Sequence, residues 1–250
     1  YSNEILKFLN TNVQAIDRDR KVISIAKKLQ KKFPQRFKFY QTKFSKLDQL
    51  PVDLVDVIIF DLGLSSIQLN DLERGFSFKS NKRLNMTMGL NETSALEVIN
   101  NLSEKNLKLI IKILGEEKDA YRIAKNIVKS REIKKITNTD DLVKIIEKSK
   151  KEKFYKKINP CTKTFQALRI FVNKEITELI HGIINASKKL KPGGRILVIS
   201  FHSIEDKIVK YFFKSLSESK SISRYAPLTE QRETLFDLIQ KKPITPNDNE

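Results

Sequence analysis

The sequence predicts an α/β protein in which a Rossmann-like parallel sheet is interrupted by an inserted all-helical domain. Three observations support this prediction. Helix and strand patterns alternate at the start of the chain, a middle segment carries helix patterns alone, and a strand followed by a helix returns near the end. Alternating strands and helices are typical of parallel sheets, because strands that run in the same direction need a long crossover between them.

The first elements alternate as a parallel sheet requires. Residues 3–9 are predicted to be helical, and residues 13–16 form a short apolar strand that ends at Asp17. An amphipathic helix is expected at 20–33 and a further strand at 37–40.

Two later segments are predicted to be strands that are buried on both faces. Residues 55–60 (VDVIIF) and 195–200 (RILVIS) are mainly apolar runs, a pattern typical of central strands in a parallel sheet. The second run follows a Lys-Pro-Gly-Gly turn at 191–194 and precedes a helix at 204–216.

A helical segment separates these two parts. Ser94 and Glu97 have the spacing of a capping box, which marks the start of a helix. We therefore assign residues 1–92 and 160–250 to the α/β domain and residues 93–159 to a helical insertion. Helices are expected at 103–114, at 119–131, from a cap at Thr139 or Asp140 to about residue 150, and as one long helix at 164–190.

The composition favours a nucleic-acid partner and a reducing compartment. The net charge of +18 favours a polyanion, although an AT-rich genome would also enrich the chain in Lys, Ile and Asn. A single cysteine, Cys161, excludes an internal disulfide, and two histidines disfavour a zinc site. We recognise no signal peptide and no apolar run of the roughly 18–20 residues that span a bilayer, so we expect a cytoplasmic protein without membrane association.

Acidic residues end two of the predicted strands, at the edge where open parallel sheets bind ligands. Asp17, in the run AIDRD, suits hydrogen bonds to the ribose hydroxyls of a nucleotide cofactor. An Asp at a strand end is also a common helix cap, and Asp19 is placed to cap the next helix. The glycine-rich loop expected before such a site is absent, and since the chain starts at Tyr1 the sequence is expected to be a fragment.

Five separated blocks carry a family resemblance. They read AIDRD, DLGLSSIQLNDLERGFSF, TKTFQALRIFVNKEITEL, LKPGGRILVISFHSIEDKIVKYFF and KKPITP. Together they resemble the RsmH (MraW) family of bacterial methyltransferases that act on small-subunit ribosomal RNA. The resemblance covers nearly the whole chain and implies a Rossmann-like methyltransferase domain with an inserted helical substrate-recognition domain. It also implies methyl transfer from S-adenosylmethionine to the exocyclic N4 of a cytidine, in ribosomal RNA or in the assembled small subunit.

The resemblance implies roles for five residues around the cofactor. Asp17 should hold the ribose of S-adenosylmethionine, and Phe44 should lie against the adenine. Asp61 and Gln68 should contact the cofactor near its methionine end, and Tyr1 stands where the glycine loop of the family ends.

The chain departs from the family pattern at three places. Members usually read Asp-Met-Arg-Met-Asp where this chain has Asn85-Met86-Thr87-Met88-Gly89, so two acids and an arginine are replaced. The glycine loop is missing, and the basic tail of the family is absent after Glu250. We therefore expect no salt bridge from the Asn85–Gly89 segment.

The chemistry of the acceptor points to catalytic residues. The N4 lone pair of cytidine is delocalised into the ring, and a group that accepts a hydrogen bond from the amino protons would localise it. Asp61, Ser65 and Ser66 follow the VDVIIF strand and are candidates, although the serines could merely cap the next turn. His202 follows the RILVIS strand and could orient the substrate or accept a proton, or it could be structural.

Substrate contacts are expected from Arg74, Phe76, Arg169 and Asn173. Phe76 and Phe78 could stack on an unstacked base, although Phe is usually a core residue. The basic and aromatic run at 148–157 could bind RNA or be a solvated loop.

Two other functions remain compatible with the fold class. A nucleotide-dependent oxidoreductase would need a dinucleotide glycine fingerprint, which the sequence lacks. A non-catalytic RNA-binding or ribosome-assembly protein could have lost its cofactor loop. The oligomeric state is left open, and a homodimer is compatible with the sequence.

Overall fold

The computed structural model describes residues 1–91, 93–150, 159–218, 234–240 and 242–246. Within these residues the protein has a mixed α/β fold with two parallel strand pairs. The strands are β1 (Val13–Asp17), β2 (Phe37–Gln41), β3 (Val55–Asp61) and β4 (Leu190–Ile199). The α-helices are α1 (Ser2–Ile5), α2 (Ile23–Lys32), α3 (Ser66–Asn70), α4 (Ala95–Asn101), α5 (Glu104–Leu114), α6 (Ala120–Ile133), α7 (Thr139–Ser149), α8 (Thr162–Asn173), α9 (Glu175–Lys188) and α10 (Ser203–Ser217).

The first strand pair confirms the two strands predicted near the start of the chain. β1 and β2 run parallel, and the last residue of β1, Asp17, lies opposite Gln41. The helix predicted at 20–33 begins as a 3₁₀ turn, Arg20–Val22, before α2. The pair and its helices share a small core made of Leu6, Ala26 and Phe37.

β3 and β4 form the second strand pair, and β4 starts at Leu190 rather than at residue 195 as predicted. Val55 N donates to Lys189 O at one end, and Leu62 N donates to Ile199 O at the other, so the two strands run in the same direction. The predicted turn at 191–194 lies inside β4. Gly193 adopts a φ of 77°. A Cβ on Gly194 would lie 2.9 Å from the backbone oxygen of Asp56, so Gly194 lets the backbone approach β3 closely.

Two expectations about the sheet need correction. A single sheet would require a ladder between the two strand pairs, and none joins them in the described residues. The prediction that VDVIIF is buried on both faces is wrong, because Val57 is 49% exposed and Ile59 is 40% exposed. Only Phe60 of this strand is buried, with 6% of its surface exposed. An apolar run therefore identified the strand correctly but not the degree to which it is covered.

The middle of the chain is helical, as its patterns predict. Ser94 and Glu97 form the predicted capping box at the start of α4. The cap of α7 is Asn138, whose side chain accepts from Asp141 N, rather than Thr139 or Asp140. Thr139 is fully buried and contacts Ser80, so it cannot serve as a solvent-side cap. The helices α4 to α8 surround a large apolar core that includes Ile99, Leu107, Ile111, Ile123, Ile127, Leu142, Ile146 and Leu168.

The long helix predicted at 164–190 is two helices. α8 ends at Asn173, Lys174 adopts the left-handed conformation with φ 53° and ψ 35°, and α9 begins at Glu175. The apolar repeat continues through the break and therefore could not reveal it. The break depends on contacts that Asn173 makes with distant residues, described below.

The chain divides into two compact units. The larger unit comprises Tyr1–Ile58 and Gly63–Leu197, and the smaller unit comprises Ile59–Leu62 and Val198–Glu250. In the smaller unit, Phe212 and Phe213 of α10 pack against Phe236 with ring centroids 6.4 Å and 6.1 Å away. Among the described residues, no helix combines the length and apolar character needed to cross a bilayer.

Candidate active site

The carboxylate of Asp17 lies at the carboxyl end of β1, where the sequence predicted a cofactor contact. It is half-buried, and one carboxylate oxygen accepts a hydrogen bond from Asp19 N at 2.7 Å. Burial raises the pKa of Asp17, and the backbone hydrogen bond from Asp19 only partly opposes this effect. A carboxylate has about four lone-pair sites, so Asp17 can still accept hydrogen bonds from a pair of hydroxyl groups.

Asp19 is a buried structural acid. Its side chain caps the turn that follows β1 by accepting from Lys21 N at 3.0 Å, as the sequence suggested. It also accepts from Gln68 Nε2 at 3.0 Å and forms an ion pair with Arg74. Burial alone would raise the pKa of Asp19, but the hydrogen bonds from Arg74 and Gln68 outweigh it and the pKa is lowered. Asp19 is therefore held ionised and fixes two other predicted site residues.

Arg18, between the two acids, is buried and bonds to amide oxygens. Its guanidinium donates to Asn173 O at 3.1 Å, to Asn173 Oδ1 at 2.9 Å and to Asn91 Oδ1 at 2.8 Å. Arg18 Nε is buried and has no hydrogen-bond partner among the described residues. A buried arginine is costly unless it is well paired, so these bonds to Asn91 and Asn173 anchor the end of β1.

Asn173 is the centre of this network. Its side-chain nitrogen donates to Met86 O and Arg169 O, both at 2.8 Å. Its side-chain oxygen accepts from Arg18, from Met88 N at 2.8 Å and from Asn91 Nδ2 at 2.8 Å. The residue is only 1% exposed. In this structure Asn173 therefore ties the end of α8 to β1 and to the segment 85–91, and does not face solvent as a substrate contact would.

The segment that departs from the family pattern, Asn85–Gly89, is fixed mainly through its backbone. Met86 N donates to Arg74 O at 2.7 Å, and Arg74 Nη2 donates to Thr87 O at 2.6 Å. Met86 and Met88 are buried, with exposed fractions of 0% and 8%. The segment therefore needs no acidic side chains to be held in place.

Gly89 allows this segment to pass close to β1. Its φ is 100°, and a Cβ would lie 2.7 Å from Arg18 O. We expect Gly89→Ala to lower the free energy of unfolding by about 2 kcal/mol or more, since both the strained φ and the clash oppose it. Urea unfolding would measure the loss, with Gly193→Ala as the control because a Cβ there meets no atom within 4 Å, although its φ is also positive. Equal losses for the two variants would show that the close approach to Arg18 has no effect.

Ser65 and Gln68 form a capping box at the start of α3. Ser65 Oγ accepts from Gln68 N at 3.3 Å, and Gln68 Oε1 accepts from Ser65 N at 3.1 Å. The structural interpretation of Ser65 is therefore confirmed as a helix cap, and Ser66 is the exposed first residue of the same helix. Gln68 is 6% exposed and also donates to Asp19.

Asp61 and His202 belong to the smaller unit. Asp61 is the last residue of β3 and is exposed, yet partial desolvation by the surrounding chain raises its pKa. His202 caps α10, because its Nδ1 accepts from Glu205 N at 3.4 Å. Its Nε2 lies 3.2 Å from Glu205 Oε1. The side chain of His202 is 9% exposed, which favours the structural role that the sequence left open.

The side chains of the other residues that were predicted to contact the substrate bond to, or pack against, other parts of the protein. Arg169 makes a two-point ion pair with Glu175, at 2.9 Å and 2.8 Å. Phe76 is 7% exposed and packs in the helical core beneath the guanidinium of Arg74, which lies 5.4 Å from the ring centroid. Phe78 packs edge-on against Phe165 in the same core, as the core interpretation expected.

Two cofactor candidates lie at the surface. Tyr1 is 70% exposed and precedes α1, and Phe44 is half-buried at the start of the 3₁₀ turn Phe44–Gln49. Of the basic run at 148–157, residues 151–157 lie outside the described residues, so its proposed RNA contact stays a prediction.

Sequence reasoning did not identify Arg18 or Asn91 as parts of the site. Arg18 stands within AIDRD, but arginine is almost never fully buried, so its type gave no reason to place it inside. Asn91 lies beyond the departing segment and carries no local pattern. The one available signal was the position of Arg18 between two acids at a strand end.

Comparison with known proteins identifies the family of this chain. The sequence model of the MraW methylase family matches residues 1–250. Ribosomal RNA small subunit methyltransferase H of Bartonella bacilliformis is 44% identical over 239 residues, which cover 96% of this chain and 72% of that protein. The proteins of the same name from Bartonella grahamii and Ehrlichia canis are 42% and 40% identical, and the alignments cover 75% and 82% of their lengths. They cover 100% and 99% of this chain.

Proposed function

The chain belongs to the MraW methylase family, and from that premise we propose that it methylates the N4 of a cytidine in small-subunit ribosomal RNA. The observation that carries the proposal is the match of this methylase family along the entire chain. Relatives that are 40–44% identical to it over the aligned residues are named Ribosomal RNA small subunit methyltransferase H. A net charge of +18 suits an RNA substrate. An oxidoreductase or a non-catalytic assembly protein is less consistent with these relatives.

The methyl donor we propose is S-adenosylmethionine, and the residues at the end of β1 fit its ribose. Asp17 offers a half-buried carboxylate with acceptor capacity at a strand end, the position that holds ribose hydroxyls in nucleotide-binding sheets. The network of Arg18, Asp19 and Asn173 fixes the backbone that follows Asp17. Phe44 would lie against the adenine, and Tyr1, Asp61 and Gln68 would complete the contacts.

The donor supplies an activated methyl group when bound, so the protein must mainly hold the acceptor and prepare its nitrogen. The amino group of cytidine is a weak nucleophile because its lone pair is delocalised into the ring. We assign to Asp61 the role of accepting a hydrogen bond from that amino group, which shifts electron density toward N4. Its exposed position at the end of β3 leaves the carboxylate accessible to a substrate. Ser66, the exposed first residue of α3, is a further candidate for a contact with the base.

The helical segment 93–159 is proposed to recognise the RNA, as an insertion in a Rossmann-like domain. Its four described helices, α4 to α7, pack together with α8 around a common core that does not involve β1 or β2. The surface of these helices carries Tyr121, with Lys108 and Lys125 each 5.7 Å from the ring centroid. An exposed aromatic ring flanked by two ammonium groups suits contact with single-stranded nucleic acid.

Cofactor titration tests the proposed role of Asp17. We expect Asp17→Ala to weaken S-adenosylmethionine binding by roughly tenfold to a hundredfold, because it removes hydrogen bonds to an ionised acceptor. Isothermal titration calorimetry would measure the dissociation constant. Asp53→Ala is the matched control, since Asp53 is an exposed acid in the segment just before β3. Equal binding by both variants and the wild type would exclude Asp17 from the cofactor site.

A further inference from the structure

A cavity lies at the break between α8 and α9. The cavity has a volume of about 440 Å³, within the range of about 300–1,000 Å³ that holds small ligands. Its walls come from separate parts of the larger unit: the residue before the 3₁₀ turn at 44–49, the loop before α4, the end of α5 and the junction at Lys174. The lining residues used below are Lys43, Leu90, Thr93, Phe171, Lys174 and Thr177.

Lys174 lines this cavity and is held in a disfavoured backbone conformation. Its φ of 53° lies in the left-handed region, which a lysine seldom occupies. The conformation is imposed by its neighbour Asn173, whose side chain is saturated with bonds to Arg18, Met86, Met88, Asn91 and Arg169. The network thus fixes Lys174 in an exposed position beside the cavity.

Few polar groups in the wall remain available for a ligand. Lys43 lies 3.5 Å from the buried carboxylate of Glu178, so its charge is already balanced. Asn91 and Asn173 are occupied in the buried network. Lys174 forms no ion pair with any residue that the structure describes, and Thr93 and Thr177 are exposed. The cavity therefore offers one ammonium group and two hydroxyl groups.

The remaining wall is apolar and includes an aromatic ring. Leu90, Leu114, Ile170 and Ile176 line it together with Phe171, which is 39% exposed. An exposed aromatic ring can stack on any of the nucleic-acid bases.

We propose that this cavity binds one nucleotide unit of the RNA substrate. The phosphate would bind to Lys174 and to the hydroxyl groups of Thr93 and Thr177, and the base would stack on Phe171. The site deepens the proposed function and rests on it, since an RNA substrate is what brings a phosphate and a base together in a cationic, half-apolar cavity. It lies beside the network that fixes Asp17, so one set of bonds positions both the cofactor acid and this subsite.

The salt dependence of RNA binding tests the phosphate contact. Fluorescence anisotropy with a labelled single-stranded ten-nucleotide RNA, at several salt concentrations, would be measured for the wild type and for Lys174→Asn. Asn tolerates the left-handed backbone, so this variant removes the charge without disturbing the junction. The slope of log K against log salt should fall by about 0.7. Lys28→Asn, an exposed site on α2, is the matched control, and Lys174→Arg should keep the wild-type slope.

Binding of the same RNA tests the stacking contact. We expect Phe171→Leu to weaken binding about tenfold, because one base loses its stacking partner. Tyr211→Leu, at an aromatic residue on α10 that is 76% exposed, should change it little. If Lys174→Asn and Lys28→Asn have equal slopes, or if Phe171→Leu binds as tightly as Tyr211→Leu, the cavity is not a nucleotide site. Methyl transfer by the wild-type chain, measured in parallel, shows whether the proposed function itself holds.

Discussion

Replacing Asp61 with alanine is expected to lower the rate of methyl transfer at saturating cofactor and RNA by about a hundredfold or more. A positioned group that exchanges or accepts protons from the reacting atom typically contributes a factor of about 10²–10⁴. Without the Asp61 carboxylate, the amino group of the cytidine loses this hydrogen-bond acceptor and its lone pair stays delocalised. Single-turnover measurement of methyl transfer to isolated small subunits would give the rate of the chemical step.

The pH profile provides a second readout for Asp61. Its pKa is raised by desolvation, and the protonated acid is a much weaker acceptor for the amino protons than the carboxylate. The rate should therefore fall as the pH drops through a value above the ordinary pKa of aspartate, and reach a plateau above it. Asp61→Asn should lack this acidic limb.

A control on the same strand separates a local effect from a general one. Asp56 pairs with Lys191 at 3.0 Å, and its side chain is 79% exposed. Asp56→Ala should retain the wild-type rate. If Asp61→Ala retained it as well, Asp61 would have no part in the reaction.

Replacing Asn173 with alanine is expected to destabilise the protein by about 3–5 kcal/mol. This is the summed cost of leaving several buried polar groups unsatisfied, at about 1–3 kcal/mol each. One of them is the guanidinium of Arg18, which loses the Asn173 Oδ1 acceptor. The backbone N–H of Met88 and the carbonyl of Met86 lose their partners in the same step. Urea unfolding would measure the loss through the shift in midpoint at constant slope.

Asn185 offers a matched control for Asn173. It is a half-buried residue on α9 that donates to Ser45 O at 2.8 Å and to Asp48 at 3.0 Å. Asn185→Ala should cost about 1 kcal/mol. A similar, small loss for Asn173→Ala would contradict the view that this residue holds the site together.

Local features of the fold were predictable because their causes lie close together in sequence. The capping box of Ser94 and Glu97 and the cap at Asp19 involve residues two or three positions apart. The end of α8 was missed because its cause is long-range, since Asn173 bonds to Met86 and Arg18. The apolar repeat that continues from α8 into α9 indicates only which face of these helices is buried.

The sequence proposed site acids from strand ends and gave less indication of the residues that support them. Asp17 was proposed because a strand end is the place where such sheets bind ligands, and the structure places Asp17 at the end of β1. Arg169 and Asn173 were expected to contact the substrate, but in the structure Arg169 pairs with Glu175 and Asn173 belongs to the buried network. Polar side chains close to a ligand site serve as often to fix the backbone as to touch the ligand, and a single sequence does not separate the two.

The most direct test of the account is the chemical identity of the methylated nucleoside. The wild-type chain would be incubated with isotopically labelled S-adenosylmethionine and with small ribosomal subunits from cells that lack this gene, and the digested RNA would be analysed by mass spectrometry. The account predicts label in a single cytidine, on the exocyclic N4. Label on a ring carbon, on another base, or in no nucleoside at all would contradict it.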